Sequence, residues 1–283
     1  DLKAIADESF INLEKGLYKL VNENTFKHFA DDILRSSGYD EPSMLMARNA
    51  VNYAYAMYLR LKEIGENPTD INHNIRRLLA ISHLTSRHSG SFETTFESDI
   101  KRIQKIGDMQ TFIDTLETQE LSEVFWESTL PDQFDKVNVS NPFWHIFVAA
   151  QKKLLKDSFL TTENKVKDMT TGDIHHIFPK NYLVKKGYDK SQYNKIANFV
   201  YLRNDINIAV SDEAPCDYLG QIASGNGKKY HSNLTSRAEL INNLKENAIP
   251  AMTLDATSTQ FEDFMRKRQT LMAKMIHDYY KGL

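Results

Sequence analysis

Apolar residues return every three or four positions along much of this chain. The pattern is clear in DESFINLEKGLYKLV (7–21), EPSMLMARNAVNYAYAMYLRLKEI (41–64), INHNIRRLLAISHLT (71–85) and ESDIKRIQKI (97–106). That spacing keeps one face of a 3.6-residue helix apolar, so each stretch predicts an amphipathic helix. The second is expected to open at Pro42 and stop at Gly65. SRHSGS (86–91) reads as a loop between the last two. Asn67-Pro68, Leu130-Pro131 and Asn141-Pro142 break the pattern between helices. NPFWHIFVAAQKKLLKD (141–157) starts another helix, with Pro142 in its first turn.

The tail repeats the theme. Thr259 and Glu262 match a capping box. Phe261, Phe264, Met265, Met272, Met275, Ile276 and Tyr279 form one stripe, read as core packing rather than a cofactor box. Arg266, Lys267 and Arg268 are expected on the wet face of that helix.

Residues 170–220 depart from the helical period. GDIHHIF (172–178) is short and β-compatible. KNYLVKKGYDKSQYNKI (180–196) is polar and lysine-rich, a loop with about one helical turn. NFVYLR (198–203) reads as a second short strand, and NDINIAVSDEAPCDYLGQI (204–222) as a helix. The expected fold class is mainly α, a helical scaffold with a small embedded ββα-metal unit. The expected organisation is a scaffold domain over 1–160 and a domain over 161–283 that carries the unit and the C-terminal helices.

Composition narrows the setting. At 283 residues the chain could form one large domain or two ordinary ones. No apolar run approaches the roughly 18 residues of a membrane span, and the first residues show no signal-peptide core. The single Cys216 excludes an internal disulfide and a cysteine-rich zinc site, which fits a reducing, cytoplasmic location. The absent initiator methionine leads us to expect a further N-terminal partner domain. Net charge is −3, against a general nucleic-acid coat protein, yet residues 151–230 hold 13 Lys and Arg against 9 Asp and Glu. A modest basic zone therefore surrounds the paired histidines, weak evidence for a polyanion partner.

The stretch DIHHIFPKNYL (173–183) carries the candidate chemistry. Adjacent side chains on a strand point to opposite faces. One histidine could work while the other packs, unless the backbone curls both toward a common ion. Phosphodiester hydrolysis needs a base to activate water and a cation to hold the phosphate and the departing oxygen. Histidine suits the base, because its pKa lies near neutrality. One imidazole and a carboxylate or amide oxygen are enough for magnesium, which retains several waters.

Asp173-Ile-His175-His176-Ile-Phe-Pro179, followed by Asn198-Phe-Val-Tyr-Leu-Arg203-Asn-Asp205-Ile-Asn207, resembles an HNH endonuclease motif. More narrowly, it resembles the C-terminal HNH domain of GmrSD-type restriction proteins, modification-dependent anti-phage enzymes of bacteria. SHLTSRHSGSFETTFESDIKRI (82–103), NPFWHIFVAAQ (141–151) and EAPCDYL (213–219) extend the likeness over most of the chain. The step from Asn198 to Asn207 is also similar to that in the HNH domain of RNA-guided DNA endonucleases.

The resemblance implies a role for each matched position. His176 falls at the general base and His175 at a metal ligand. Asn207 falls at a second ligand that is histidine in many relatives, a departure that tilts the metal from zinc toward Mg2+ or Mn2+, one ion per site. Asn198 matches the central asparagine that orients the base-bearing loop, and Asp173 an auxiliary acid counted with the metal residues. The implied partners are DNA, modified or of phage origin, and an N-terminal nucleotide-hydrolysing sensor domain, with no membrane.

Plainer readings stand beside these. A double histidine in an arbitrary chain is more often structural, and the matching Pro179, Asn198 and Asn207 reverse that weighting. Arg203 could hold a phosphate or pair with Asp205. Lys180, Lys185, Lys186 and Lys195 could touch backbone phosphates or remain solvated. Cys216 is expected as a small buried residue, His83 and His88 as packing or interdomain contacts, and His145 as a packing residue beside Trp144. Two other functions remain open: a catalytically silent DNA-binding module, and an RNA-cleaving antiviral nuclease.

Overall fold

A computed structural model of the chain describes residues 2–135, 139–155, 157–162 and 173–283. Gly172, expected at the head of the first strand, lies outside the described residues. The described chain is mainly helical and carries one two-stranded sheet. Among these residues, no helix is long and apolar enough to cross a membrane. Two compact units are distinguished, one of residues 1–120 with Leu283, the other of residues 121–282.

The first unit holds α1 (Leu2–Leu20), α2 (Glu23–Phe29), α3 (Arg48–Glu63), α4 (Pro68–Thr85), α5 (Phe92–Ile106) and α6 (Met109–Glu120). Pro42 does not open α3. It starts a separate 3-10 turn, Pro42–Met44, and the helix begins only at Arg48, ending beside Gly65 at φ +78°. Asn67 caps α4 by accepting the Thr69 amide at 2.8 Å, with Pro68 at its first position. The α3–α4 pair is the centre of this unit, with Tyr53, Ile75, Leu78, Leu79 and Ile81 fully or almost fully buried. By contrast, α1 leaves Ile5, Phe10, Leu13, Leu17 and Tyr18 exposed despite its periodic pattern.

The second unit holds α7 (Leu130–Gln133), α8 (Pro142–Leu154), β1 (Asp173–His176), α9 (Lys180–Lys185), α10 (Lys190–Tyr193), β2 (Phe199–Leu202), α11 (Asn204–Val210), α12 (Pro215–Gln221), α13 (Arg237–Glu246) and α14 (Phe261–Lys281). Helix α8, assigned from sequence to the scaffold, shares this unit with the strands. Asn141 caps it through the Phe143 amide at 2.9 Å. Helices α8 and α14 pack together.

The strands pair antiparallel, with Asp173 opposite Leu202, Ile174 opposite Tyr201, His175 opposite Val200 and His176 opposite Phe199. Trp144 of α8, fully buried, meets the rings of Phe199 and Tyr201 at 6.2 and 5.5 Å. Phe178 leaves the sheet to lodge between Phe261 and Phe264 of α14, at 5.2 and 4.7 Å. Each such buried ring contributes roughly 1.5–3 kcal/mol.

Three sequence expectations need correction here. The lysine-rich 180–196 stretch is not a loop with one turn but two short helices, α9 and α10. The second is nucleated by a capping box in which Asp189 and Gln192 exchange bonds with each other's backbone amides. Residues 204–222 form two helices rather than one, because the chain breaks after Val210, where Ser211 takes φ +51°. The tail's capping box is Thr257 with Gln260, not Thr259 with Glu262. Thr257 has the extended backbone a cap needs, while Thr259 sits inside the 3-10 turn Ser258–Gln260.

Candidate active site

The stretch with the paired histidines becomes strand β1, and its regular register sets His175 and His176 on opposite faces of the sheet. Phe199, opposite His176, meets its ring at 5.0 Å, and Tyr193 of α10 meets it at 5.8 Å, both edge-on. The Nε2 atom of His176 lies 3.2 Å from Oδ1 of Asn194. Burial lowers the His176 pKa, the Asn194 contact raises it, and the Lys180 ammonium lowers it. Lys180 itself is exposed, at the first position of α9.

His175 differs. Its Nε2 is buried and has no hydrogen-bond partner among the described residues. Burial first, and the neighbouring His176 second, pull its pKa down to about 4, so the ring is neutral at physiological pH. A neutral imidazole with an unused, desolvated nitrogen is costly unless something completes it. A metal ion is one such group, since the ligating form of histidine is the neutral ring.

Asn198 is fully buried and ties the site together. Its Oδ1 accepts the Phe178 amide at 2.9 Å, and its Nδ2 donates to the Phe178 and Tyr193 carbonyls at 3.1 and 3.0 Å. Its own carbonyl accepts the Ile177 amide at 2.9 Å. The chain from Phe178 to Tyr193 is therefore closed at its neck by this one residue. Behind it, Tyr218 of α12 donates to the Ile177 carbonyl at 3.0 Å, and Arg268 of α14 donates to the Ala197 carbonyl at 2.9 Å.

Asn207 lies on α11, directly after β2, and is half-buried. Its side-chain amide has no hydrogen bond among the described residues, so the oxygen is available. Arg203, which caps α11, is paired with Asp205. One bond, from Nε to Oδ1, measures 3.0 Å, and a second joins Nη2 to Oδ2. This pair first lowers the Asp205 pKa. Asp173 opens β1, and its side chain lies outside the described residues. No cluster of three or more His, Cys, Asp or Glu suited to a metal occurs among the described residues.

The strand does not curl, so the register alone does not turn both histidines toward one ion; in donor chemistry, His175 and Asn207 suit a divalent ion of the magnesium class. The orphaned His175 nitrogen and the free Asn207 amide are one nitrogen and one oxygen donor. Neither carries charge, so phosphate and water would complete such an ion's shell.

Two residues escaped sequence reading. Asn194 ends α10, and no local pattern marks it, because its contact is made across 18 residues. Arg268, expected on the wet face of its helix, is fully buried. It continues the stripe of Phe261, Phe264, Met265 and Met272, and its position in that spacing was the available signal. Its neighbours Arg266 and Lys267 are exposed as expected. Cys216, expected buried, is only half-buried on α12.

Comparison of the chain with family models, with curated proteins and with solved structures finds no match.

Proposed function

We propose that this chain is a metal-dependent HNH-type DNA endonuclease, the effector part of a bacterial restriction or phage-defence protein. The observation that carries this reading is the buried Nε2 of His175, which has no hydrogen-bond partner among the described residues, one residue from His176, whose pKa burial lowers. Strand, a connection of two short helices closed by Asn198, strand and helix follow in the order of the HNH motif. Asn198 at the neck of the loop and the free amide of Asn207 on the helix are consistent with the roles their positions imply.

In this reading His176 takes a proton from water through a ring nitrogen. The water oxygen forms the new bond to phosphorus, the bond to the departing oxygen breaks, and that oxygen takes a proton from solvent. His175 and Asn207 would hold an Mg2+ or Mn2+ ion, whose charge offsets that developing on the phosphate. Lys180, exposed beside the base, suits a backbone-phosphate contact. Arg203 suits one only if it exchanges Asp205 for phosphate.

The test is nicking of supercoiled plasmid with Mg2+ or Mn2+, with and without EDTA, alongside single-stranded RNA. Metal-dependent, EDTA-sensitive nicking of DNA supports the proposal. Cleavage of RNA alone would reassign the substrate. Inertness toward both would leave a silent binding module.

A further inference from the structure

We propose that Asn194 is a positioning residue: its amide oxygen accepts the Nε2 proton of His176 and fixes the ring, so that Nδ1 is the nitrogen presented to take the proton from water. The second half of this statement rests on the nuclease reading above. The first half does not.

A neutral imidazole has one N–H donor and one bare nitrogen acceptor, and its polar contacts decide which is which. The Nε2 atom faces an amide oxygen at 3.2 Å, and an amide oxygen only accepts. Nε2 must then be the donor. The rest of the ring's surroundings do not compete, since Tyr193 and Phe199 approach it edge-on with their aromatic rings. Asn194 is thus the polar contact that selects the tautomer among the described residues.

The acceptor is also held in place. Asn194 follows α10, whose start is fixed by the Asp189–Gln192 capping box. The preceding carbonyl, of Tyr193, receives the Nδ2 proton of buried Asn198 at 3.0 Å. The residue that closes the loop at its neck therefore also fixes the residue that orients the base. The orienting partner of a general base commonly acts in this way, by fixing tautomer and ring direction rather than by taking the proton itself.

The experiment is a two-bond 1H–15N correlation spectrum of the whole chain labelled at histidine nitrogens, at pH 7.5, with the His176 signals assigned by their loss in His176→Gln. The wild type is expected to show a protonated Nε2 and a bare Nδ1. Asn194→Leu and Asn194→Ala should give a mixture of tautomers, whereas Asn194→Asp, which keeps an acceptor oxygen, should restore the wild-type pattern. In the nicking assay the Leu and Ala variants should lose kcat on the order of 10-fold with KM little changed, and the Asp variant should recover it. A proton on Nδ1 in the wild type overturns the proposal, as does an unaltered tautomer in Asn194→Ala. If Asn194→Leu does not fold, the wild-type and Ala spectra decide. If the wild type does not nick, the nuclease reading falls, and the spectra still decide what Asn194 does.

Discussion

The side chain of Asn198 pairs with the backbone of Phe178 as a second strand would, accepting its amide proton at 2.9 Å and donating to its carbonyl at 3.1 Å. The two residues stand twenty positions apart, and both are fully buried. At this point β1 has ended and the chain must leave the sheet with its polar groups out of water. A primary amide is the side-chain group that can present one acceptor and two donors there. This is why an asparagine, rather than an apolar residue, occupies the middle of the fold.

Asn198→Ala should therefore cost stability as well as function. It strips the Phe178 amide, the Phe178 carbonyl and the Tyr193 carbonyl of their side-chain partner. Each group left orphaned costs about 1–3 kcal/mol, so with three groups stripped urea unfolding should show a loss of at least about 3 kcal/mol. Asn198→Asp should do no better, since it keeps one acceptor, loses two donated bonds and buries a carboxylate. A loss under about 0.5 kcal/mol in the alanine variant would show that these bonds do not hold the loop.

His176→Ala should separate chemistry from folding. Loss of a general base lowers the rate by roughly 10²–10⁴-fold. The ring makes edge contacts with Tyr193 and Phe199, worth about 0.5–1.5 kcal/mol each, and a bond to Asn194, so its removal carries a moderate stability cost. Nicking should collapse while the circular dichroism spectrum stays that of the folded protein and the melting temperature falls by roughly 2–8 °C. Nicking at the wild-type rate by a folded alanine variant would remove His176 from the mechanism.

Helices and strands were legible from residue spacing because burial of an apolar face is local and periodic. Both strands, and helices α4, α5, α8 and α14, fall close to where the pattern placed them. What spacing could not show is contact across the chain. Arg268 looks solvated because its neighbours Arg266 and Lys267 are charged, yet its place on the helix turns it toward the Ala197 carbonyl. Burial pulls its pKa down to about 9, and its Nε and Nη2 have no partner among the described residues. Asn194 is equally silent in sequence, and α9 and α10 were missed because short capped helices carry little periodic signal. For the candidate site, motif spacing supplied the residues, while the structure supplied the neutral state of His175 and the hydrogen bonds of Asn198.

Metal binding offers a third test, independent of turnover. If His175 and Asn207 hold one ion, His175→Ala and Asn207→Ala should each weaken Mn2+ binding by about 10-fold or more, measured by electron paramagnetic resonance of free Mn2+. His176→Ala should bind Mn2+ as the wild type does. Equal affinity in all four proteins would place the metal elsewhere.

The last prediction concerns the first unit, where His88 is buried against the rings of Tyr53 and Phe92. Neither ring nitrogen of His88 has a hydrogen-bond partner among the described residues, and Asp99 stands 3.9 Å from Nε2, already paired with Arg87. Burial pulls the His88 pKa down to about 4, opposed by Asp99 and reinforced by Arg87. The unfolded chain takes up a proton at this residue near its ordinary value of about 6.5, and the folded chain only near 4. Above pH 6.5 both states are neutral and His88 contributes no pH dependence. Between 6.5 and 4 the unfolded state binds more protons, so folding stability falls as pH falls. His88→Phe removes that proton site together with two unsatisfied nitrogens at nearly constant shape. At pH 7.5 its stability should lie within about 1 kcal/mol of wild type or above it. At pH 5 the variant should be the more stable of the two, by a margin larger than at pH 7.5. Other buried histidines, His175 among them, add the same slope to both proteins and cancel in the comparison. Parallel urea midpoints for the two proteins across this range would show that His88 is protonated, or solvated, in the folded state.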